Sequence, residues 1–361
     1  MKLIAFYLPQ FHEIEENNKW WGKGFTEWSN TRKAKPLFWG HNQPRVPYKG
    51  YYDLSDSSIM KEQMKLAKKY GMGGFCFYHY WFNGKKLLER PIEKLLEEKR
   101  IELPFCLSWA NEPWTRTWDG EKGAKEILME QNYGDEKDWK KHFDYLLNYF
   151  IRDEYIKVDG KPVFLIYKAQ QIPRCDDMIT LWNKLANENG MKGIYFIYTS
   201  ANGKICNIDG FNAEVDFEPF RTVTGTENLK HKISKNHLLK KFKFLKSKKL
   251  YPIINYIDVY EAMICRKGKR NIKTYFGAFV DWDNTARRGK DPLLIIDNAN
   301  PKNFEYYLEK QVLKSMSLKN ELLFINAWNE WGEGTYLEPD KKYGYAYLRA
   351  IKRVMDKIFV K

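Results

Sequence analysis

LLFINAWNEWGEGTYLEP, residues 322–339, decides how this chain is read: an apolar run ends in two tryptophans, two glycines and three glutamates. Strands of a parallel sheet, buried on both faces, read as such runs, and in a barrel enzyme the functional side chains gather where the strand stops. Side chains alternate along a strand, so Leu322, Phe324, Asn326, Trp328 and Glu330 share one face, with Leu323, Ile325, Ala327, Asn329 and Trp331 on the other. Glu330 therefore lies in line with Asn326. Continued extended backbone would carry Glu333 to the opposite side, about 10 Å further along. Gly332 and Gly334, however, permit a turn that swings it back towards Glu330.

Seven other segments have the same aromatic and β-branched character: LIAFYLP at 3, GGFCFYHYW at 73, PFCLSWA at 104, PVFLIY at 162, GIYFIYT at 193, FNAEVDF at 211 and TYFGAFVDW at 274. Helical patterns fill most of the gaps. SSIMKEQMKLAKKYGM starts at Ser57, with Ser57 or Asp56 as cap and Gly71 as stop. Others are DWKKHFDYLLNYFI from Asp138, MITLWNKLANENG from Met178 and NFEYYLEKQVLKSM from Asn303. Strands alternating with helices imply parallel pairing. Eight such units predict an α/β fold, a (β/α)8 TIM barrel with enlarged βα loops, as one domain over 1–361; a doubly wound open sheet is the alternative.

A barrel requires chemistry at the strand C-terminal ends, and those ends carry it. The first run leads through Tyr7 to Gln10, His12 and Glu13, the second to Tyr78, His79, Tyr80, Trp81 and Asn83, and the third to Trp109, Asn111, Glu112 and Trp114. The seventh ends in Asp281, Trp282, Asp283, Asn284 and Arg287. Aromatic rings beside carboxylates and amides suit carbohydrate, because ring faces stack on sugar C–H patches while short polar groups pair with hydroxyls. Glycine-rich phosphate cradles of the GxGxxG or Walker type do not occur. Two carboxylates facing one cleft, Glu330 and Glu333, are what glycoside chemistry needs: one held neutral to protonate the leaving oxygen, the other ionised. Their closeness itself separates the two pKa values.

The composition, 43% hydrophobic and 16% aromatic, supports a large globular core. No leader precedes the strand at Leu3 and no apolar run approaches the roughly 18 residues of a membrane span, so a cytoplasmic protein is expected. Five cysteines without a CxxC pair read as reduced, mostly buried thiols rather than a disulfide framework or zinc site. The net charge of +15 is concentrated between Lys230 and Lys249, where nine lysines are interleaved with Leu238, Leu239, Phe242 and Leu245. This reads as a basic amphipathic helix. A solvated face, attraction to an anionic membrane surface or lipid-phosphate-linked substrate, and nucleic acid are the three readings, the last without an accompanying motif. Electrostatic binding of this kind should strengthen at low salt.

At these motifs a resemblance becomes visible. AFYLPQFH near the start, WWGKGFTEW at 20–28, FYHYWFNG at 77–84, LSWANEPW at 107–114, WDNTARR at 282–288 and NEWGEGTYLEP at 329–339 together resemble the WbsX-like proteins of bacterial polysaccharide gene clusters. Those are related to glycoside hydrolase family 99, the endo-α-mannosidases and mannanases. The resemblance implies a (β/α)8 barrel, no obligatory metal or other cofactor, and a glycan of the O-antigen or capsule type, free or lipid-linked, as substrate. It further implies that Glu330 deprotonates the sugar 2-hydroxyl, which attacks the anomeric carbon to form a 1,2-anhydro intermediate, with Glu333 as general acid and then base. Gly332 stands where those hydrolases carry a histidine.

The remaining clusters have competing readings. Trp20, Trp21, Glu27 and Trp28 form either a sugar-binding cleft wall or loop packing, and His79 is either a substrate partner or a satisfied buried histidine. Glu112 is a substrate-binding residue or an alternative acid. Asp281 and Asp283 hold a sugar hydroxyl or pair with Arg287 and Arg288. Tyr80, Trp81, Trp109, Asn111, Trp114, Trp282, Asn284, Trp328 and Trp331, with Tyr7 and Gln10, complete the expected substrate-binding set. A metal site built from His12, His41 and His79 lacks the HxxxH or HxH spacing such sites use. The competing functions are a glycosyltransferase of lipopolysaccharide or capsule biosynthesis, for which DWD at 281–283 is a literal match to DxD, and a carbohydrate-binding scaffold without catalysis.

Overall fold

The computed structural model describes residues 1–116, 126–203, 206–240, 251–269 and 271–360. Eight parallel strands form the barrel: β1 (Lys2–Tyr7), β2 (Gly74–Phe82), β3 (Phe105–Trp109), β4 (Lys161–Ile166), β5 (Tyr195–Ser200), β6 (Ala213–Asp216), β7 in two pieces (Lys273–Tyr275 and Gly277–Phe279) and β8 (Leu322–Asn326). All eight runs read from the sequence are strands here. Pairing follows chain order from β1 to β6, and β1 also pairs β8, with Lys2 opposite Leu322 and Ile4 opposite Phe324.

Closure rests on β7, which changes partner midway. Its first piece pairs β6, with Lys273 opposite Ala213, and its second pairs β8, with Gly277 opposite Phe324. That switch removes the free edges an open sheet would leave, and disposes of the doubly wound alternative. The seam is tight: a Cβ on Gly277 would lie 2.2 Å from the Asp216 carbonyl oxygen. Gly277→Ala is therefore expected to cost about 3 kcal/mol, as overpacking does where backbone is the obstacle. Urea unfolding checks this; an unchanged midpoint would mean that the seam gives way freely.

Both faces of the strands are buried. Inside, the Phe6 ring lies 5.7 Å from Tyr78 and 5.6 Å from both Phe217 and Phe324. Outside, Met60, Met64 and Ala67 of the helix Ser57–Lys69, Phe143, Leu146 and Phe150 of Glu136–Phe150, and Leu308 and Val312 of Pro301–Ser317 cover the sheet. Of the two caps expected for the first of these helices, Asp56 serves, accepting from Ser58 N at 2.9 Å, and Gly71 follows its end at φ +91°. The lysine-rich segment begins in a helix, Glu227–Lys240, while residues 241–249 lie outside those described. Among the described residues no helix is long and apolar enough to cross a membrane. All five cysteines are free.

Candidate active site

At the C-terminal end of the barrel lies a cleft of about 560 Å³. Its wall is assembled from successive strand ends: Leu8 and Gln10 after β1, Tyr78 and Tyr80 on β2, Glu112 and Trp114 after β3, Tyr167 and Gln171 after β4, Phe217 and Phe220 after β6. Arg287, Glu330 and Glu333 complete it. Tyr78 and Tyr80 both reach the cleft because they are two residues apart on one strand. Burial pushes the Tyr78, Tyr80 and Tyr167 phenols upward, so each stays a neutral O–H able to donate to a ligand.

The two glutamates converge because the strand ends early. Beyond Asn326 extended alternation stops. Trp328 packs on Phe75, 5.0 Å between rings, and a short 3-10 turn spans Trp331–Glu333. Gly334 completes the turn at φ 68°, ψ 18°, where a Cβ would meet the Asp283 carbonyl oxygen at 2.9 Å. Glu330 and Glu333 then sit on adjacent terminal nitrogens of one guanidinium: Arg287 Nη2 lies 2.7 Å from Glu330 Oε1, and Nη1 lies 3.0 Å from Glu333 Oε1. The third nitrogen, Nε, donates to Glu27 Oε1 at 2.8 Å.

Three carboxylates thus share one cation. Burial comes first among the influences and pushes Glu330 well above the ordinary carboxylate range, and Glu333 above it as well. Arg287 draws both down, while Glu27 pushes both up. Burial opposes the charge on Arg287, but the carboxylates hold it cationic. The chemical result is a pair that holds a proton more readily than an ordinary carboxylate does. Glu333, with 24% of its side chain exposed against 8% for Glu330, faces solvent and ligand more openly.

Of the substrate-binding residues expected from the sequence, Gln10, Tyr80, Glu112 and Trp114 line this cleft; Glu112 stands 3.5 Å from Lys168 Nζ. The Gln10 Oε1 atom is buried without a hydrogen-bond partner, an acceptor available to a ligand. The others are placed elsewhere, each for a visible reason. Tyr7 points outward and donates to Gln63 at 2.5 Å. His79 and Trp81 alternate with the cleft tyrosines and so face the outer helix. There the Nε2 atoms of His79 and His142 share a hydrogen bond of 2.8 Å, and Trp81 stacks on His142 at 4.5 Å. Trp109 packs edge-on against the same histidine.

Asn111 ties β3 to β4, accepting from Lys168 N and donating to Lys168 O. Trp20 stands behind Trp114 at 5.9 Å, and Trp21 lies against Phe25 beneath Arg116. Glu27 is buried behind Arg287, and Trp28 packs on Phe11 with its indole N–H bound to Tyr52 O. Asp281 pairs with Arg45 at 2.8 Å; Asp283 accepts from Gln43 at 2.6 Å and lies 2.8 Å from His41. Their partners are thus Arg45, His41 and Gln43 in place of the expected Arg287 and Arg288. Trp282 is buried in a separate apolar cluster and Asn284 accepts from Leu293 N. Trp331 stacks on Tyr336 at 3.7 Å and donates to Glu338. The two tryptophans flanking the glutamates are thus supports of the turn, not walls of the cleft.

Tyr167, Gln171, Phe217, Phe220 and Arg287 entered the cleft without being singled out as ligand contacts. Tyr167 and Phe217 were accessible to the strand-end rule, since each directly follows its strand. Arg287 also stands at a strand end, but its ion pairs were not legible, because Glu330 and Glu27 lie 43 and 260 residues away in sequence.

The closed parallel barrel with a carboxylate-bearing cleft at its C-terminal end is a (β/α)8 architecture. An endo-α-mannosidase of glycoside hydrolase family 99 from Bacteroides thetaiotaomicron has a similar fold at TM-score 0.58 and 15% identity, covering 98% of this chain and 96% of that one. A glycoside hydrolase-like protein matches at TM-score 0.59 and 13% identity, over 98% and 93% of the two chains. Residues 3–351 match the family described as Glycosyltransferase WbsX, and the chain belongs to that family, whose description is that of a glycan-processing enzyme. It is also similar to the uncharacterized protein WxcX of Xanthomonas campestris pv. campestris, at 36% identity over 98% of this chain and 50% of that protein. The chain therefore spans about half the length of the curated relatives it matches.

Proposed function

We propose that this chain is a retaining, endo-acting glycoside hydrolase or transglycosidase acting on a bacterial surface polysaccharide. The observation that carries the reading is the placement of Glu330 and Glu333 on one guanidinium, at the floor of a cleft walled by tyrosine, tryptophan and amide side chains. In the reaction, ionised Glu330 takes the proton of the sugar 2-hydroxyl as O2 attacks the anomeric carbon. Glu333 protonates the departing glycosidic oxygen, leaving a 1,2-anhydro sugar. Glu333, now ionised, deprotonates a water or acceptor hydroxyl that opens the anhydro ring at the anomeric carbon, and Glu330 returns the proton to O2. Two inversions give retention. Two carboxylates on one cation suit these roles, because one can hold a proton while the other has lost its own; burial pushes Glu330 up further than Glu333, and it is the 2.7 Å contact with Arg287 that favours the ionised Glu330 the reaction needs.

The family description favours a second reading, a glycosyltransferase. Against a metal-holding role for the Asp281–Trp282–Asp283 stretch stands its existing engagement with Arg45, His41 and Gln43. Incubation with the source organism's surface polysaccharide and its lipid-linked precursor discriminates. New reducing ends, with shorter product, are expected for hydrolysis. Transfer from a nucleotide sugar without any new reducing end would replace this reading by the second.

A further inference from the structure

Glycine at 332 is the least explained residue of the turn by local geometry, since its φ is not positive. Space explains it. A Cβ there would lie 2.0 Å from Glu27 Oε1 and 2.8 Å from Arg287 Nε, so the volume that a side chain at 332 would occupy is filled by the Glu27–Arg287 pair. Glu27 arrives from a different part of the chain, the short helix Glu27–Lys33 in the loop after β1, and is only 2% exposed. It does not line the cleft. Its carboxylate accepts from Arg287 Nε, while the two terminal nitrogens face Glu330 and Glu333.

We propose that Glu27 is a positioning residue of the reaction centre: it holds Arg287 by Nε so that Nη2 and Nη1 face Glu330 and Glu333, within a space that only glycine at 332 leaves open. The proposal rests on the roles assigned above to that glutamate pair. A guanidinium has a planar fork whose nitrogens cannot be aimed separately, so fixing one edge fixes the direction of the others. Glu27 also sets the charge of the cluster. Its carboxylate shares the guanidinium with the pair and adds a like charge that pushes both members up. The titratable groups facing the pair are Arg287, Glu27, Glu112, Tyr78, Tyr80 and Tyr167. Of these Glu27 is the buried carboxylate that touches Arg287 without touching the cleft.

The test reads the cluster directly and needs no substrate. The full chain labelled with 13C at the glutamate carboxyl carbon is titrated by NMR, the Glu330 and Glu333 signals being assigned from their loss in E330Q and E333Q. Glu27→Gln keeps an oxygen for Arg287 Nε and removes the charge. Both midpoints are expected to fall, by about one pH unit for a like charge removed a few ångströms away. Glu27→Asp keeps the charge but draws it back from Nε and so loosens the hold on Arg287, the cation that draws both carboxylates down; its midpoints are expected above those of the wild type. Unchanged or raised midpoints in E27Q, which keeps the contact to Nε, overturn the proposal, as does an E27D shift in the same downward direction as that of E27Q. Should E27Q not fold, E27D alone decides: raised midpoints support the proposal, and wild-type or lowered midpoints overturn it. Turnover by E333Q tests the glycosidase reading separately, so the two can fail independently.

Discussion

Glu333→Gln is expected to lower turnover by about a thousandfold, within the range that general acid–base catalysis contributes, while leaving affinity for the glycan nearly unchanged. The amide has the size of the carboxylic acid and can accept and donate hydrogen bonds, but it cannot deliver a proton to a leaving oxygen or take one from water. Binding is retained for the same reason, since under the proposed mechanism the group it replaces is neutral when the substrate arrives. Reducing-end release from the surface polysaccharide measures the first quantity, and calorimetric titration with the same polysaccharide measures the second. Full turnover by E333Q would remove Glu333 from the reaction, and with it the hydrolase reading. Loss of both turnover and binding would make the residue a ligand contact instead.

The second large effect is at Arg287. Arg287→Met leaves Glu27, Glu330 and Glu333 without the cation that lies 2.8, 2.7 and 3.0 Å from them. Breaking a buried ion pair from one side costs about 3–5 kcal/mol. The deficit depends on pH, and its sign follows from the carboxylates. Without Arg287 the folded-state values of Glu330 and Glu333, already raised, rise further above the ordinary glutamate value of about 4.3. The folded variant then holds protons that unfolding releases, so its stability is greatest near or below that value and is lost as pH rises through the raised ones. Urea unfolding at pH 5 and pH 8 should give a deficit much smaller at the lower pH. Equal deficits at both would mean that Arg287 is held by packing and not by charge. Turnover should fall too, since Glu330 can no longer ionise at neutral pH, and the acid limb of the rate profile should move to higher pH.

Much of the barrel was legible because parallel strands covered on both faces must be apolar throughout, and the eight runs stand out from the helices between them. The convergence of Glu330 and Glu333 was legible as well, since two glycines beside a carboxylate signal a turn. What the same reasoning could not supply is which face of a strand looks inward. On β2 both faces are buried, so Tyr78 and Tyr80 are not distinguished from His79 and Trp81 by polarity or size. The choice of His79 and Trp81 followed from their chemistry, and the barrel places them against His142 instead. Trp328 and Trp331 illustrate the same limit. Large rings beside carboxylates suggest a sugar platform, yet Phe75, Tyr336 and Glu338 supply them with partners inside the fold.

By itself, then, the amino-acid order determined the architecture and the convergence of Glu330 and Glu333, because strand periodicity, helix capping and glycine turns are local properties of a few consecutive residues. Only the tertiary structure decided what surrounds those carboxylates. Arg287 could have met Asp281 and Asp283, its near neighbours in the chain; it meets Glu27, Glu330 and Glu333 because closure of the barrel carries the loop after β7 between the first and last strands' ends. Ion pairs form between groups that are close in space, and the closing of β1 on β8 brings residues from the two ends of the chain to one side of a single guanidinium.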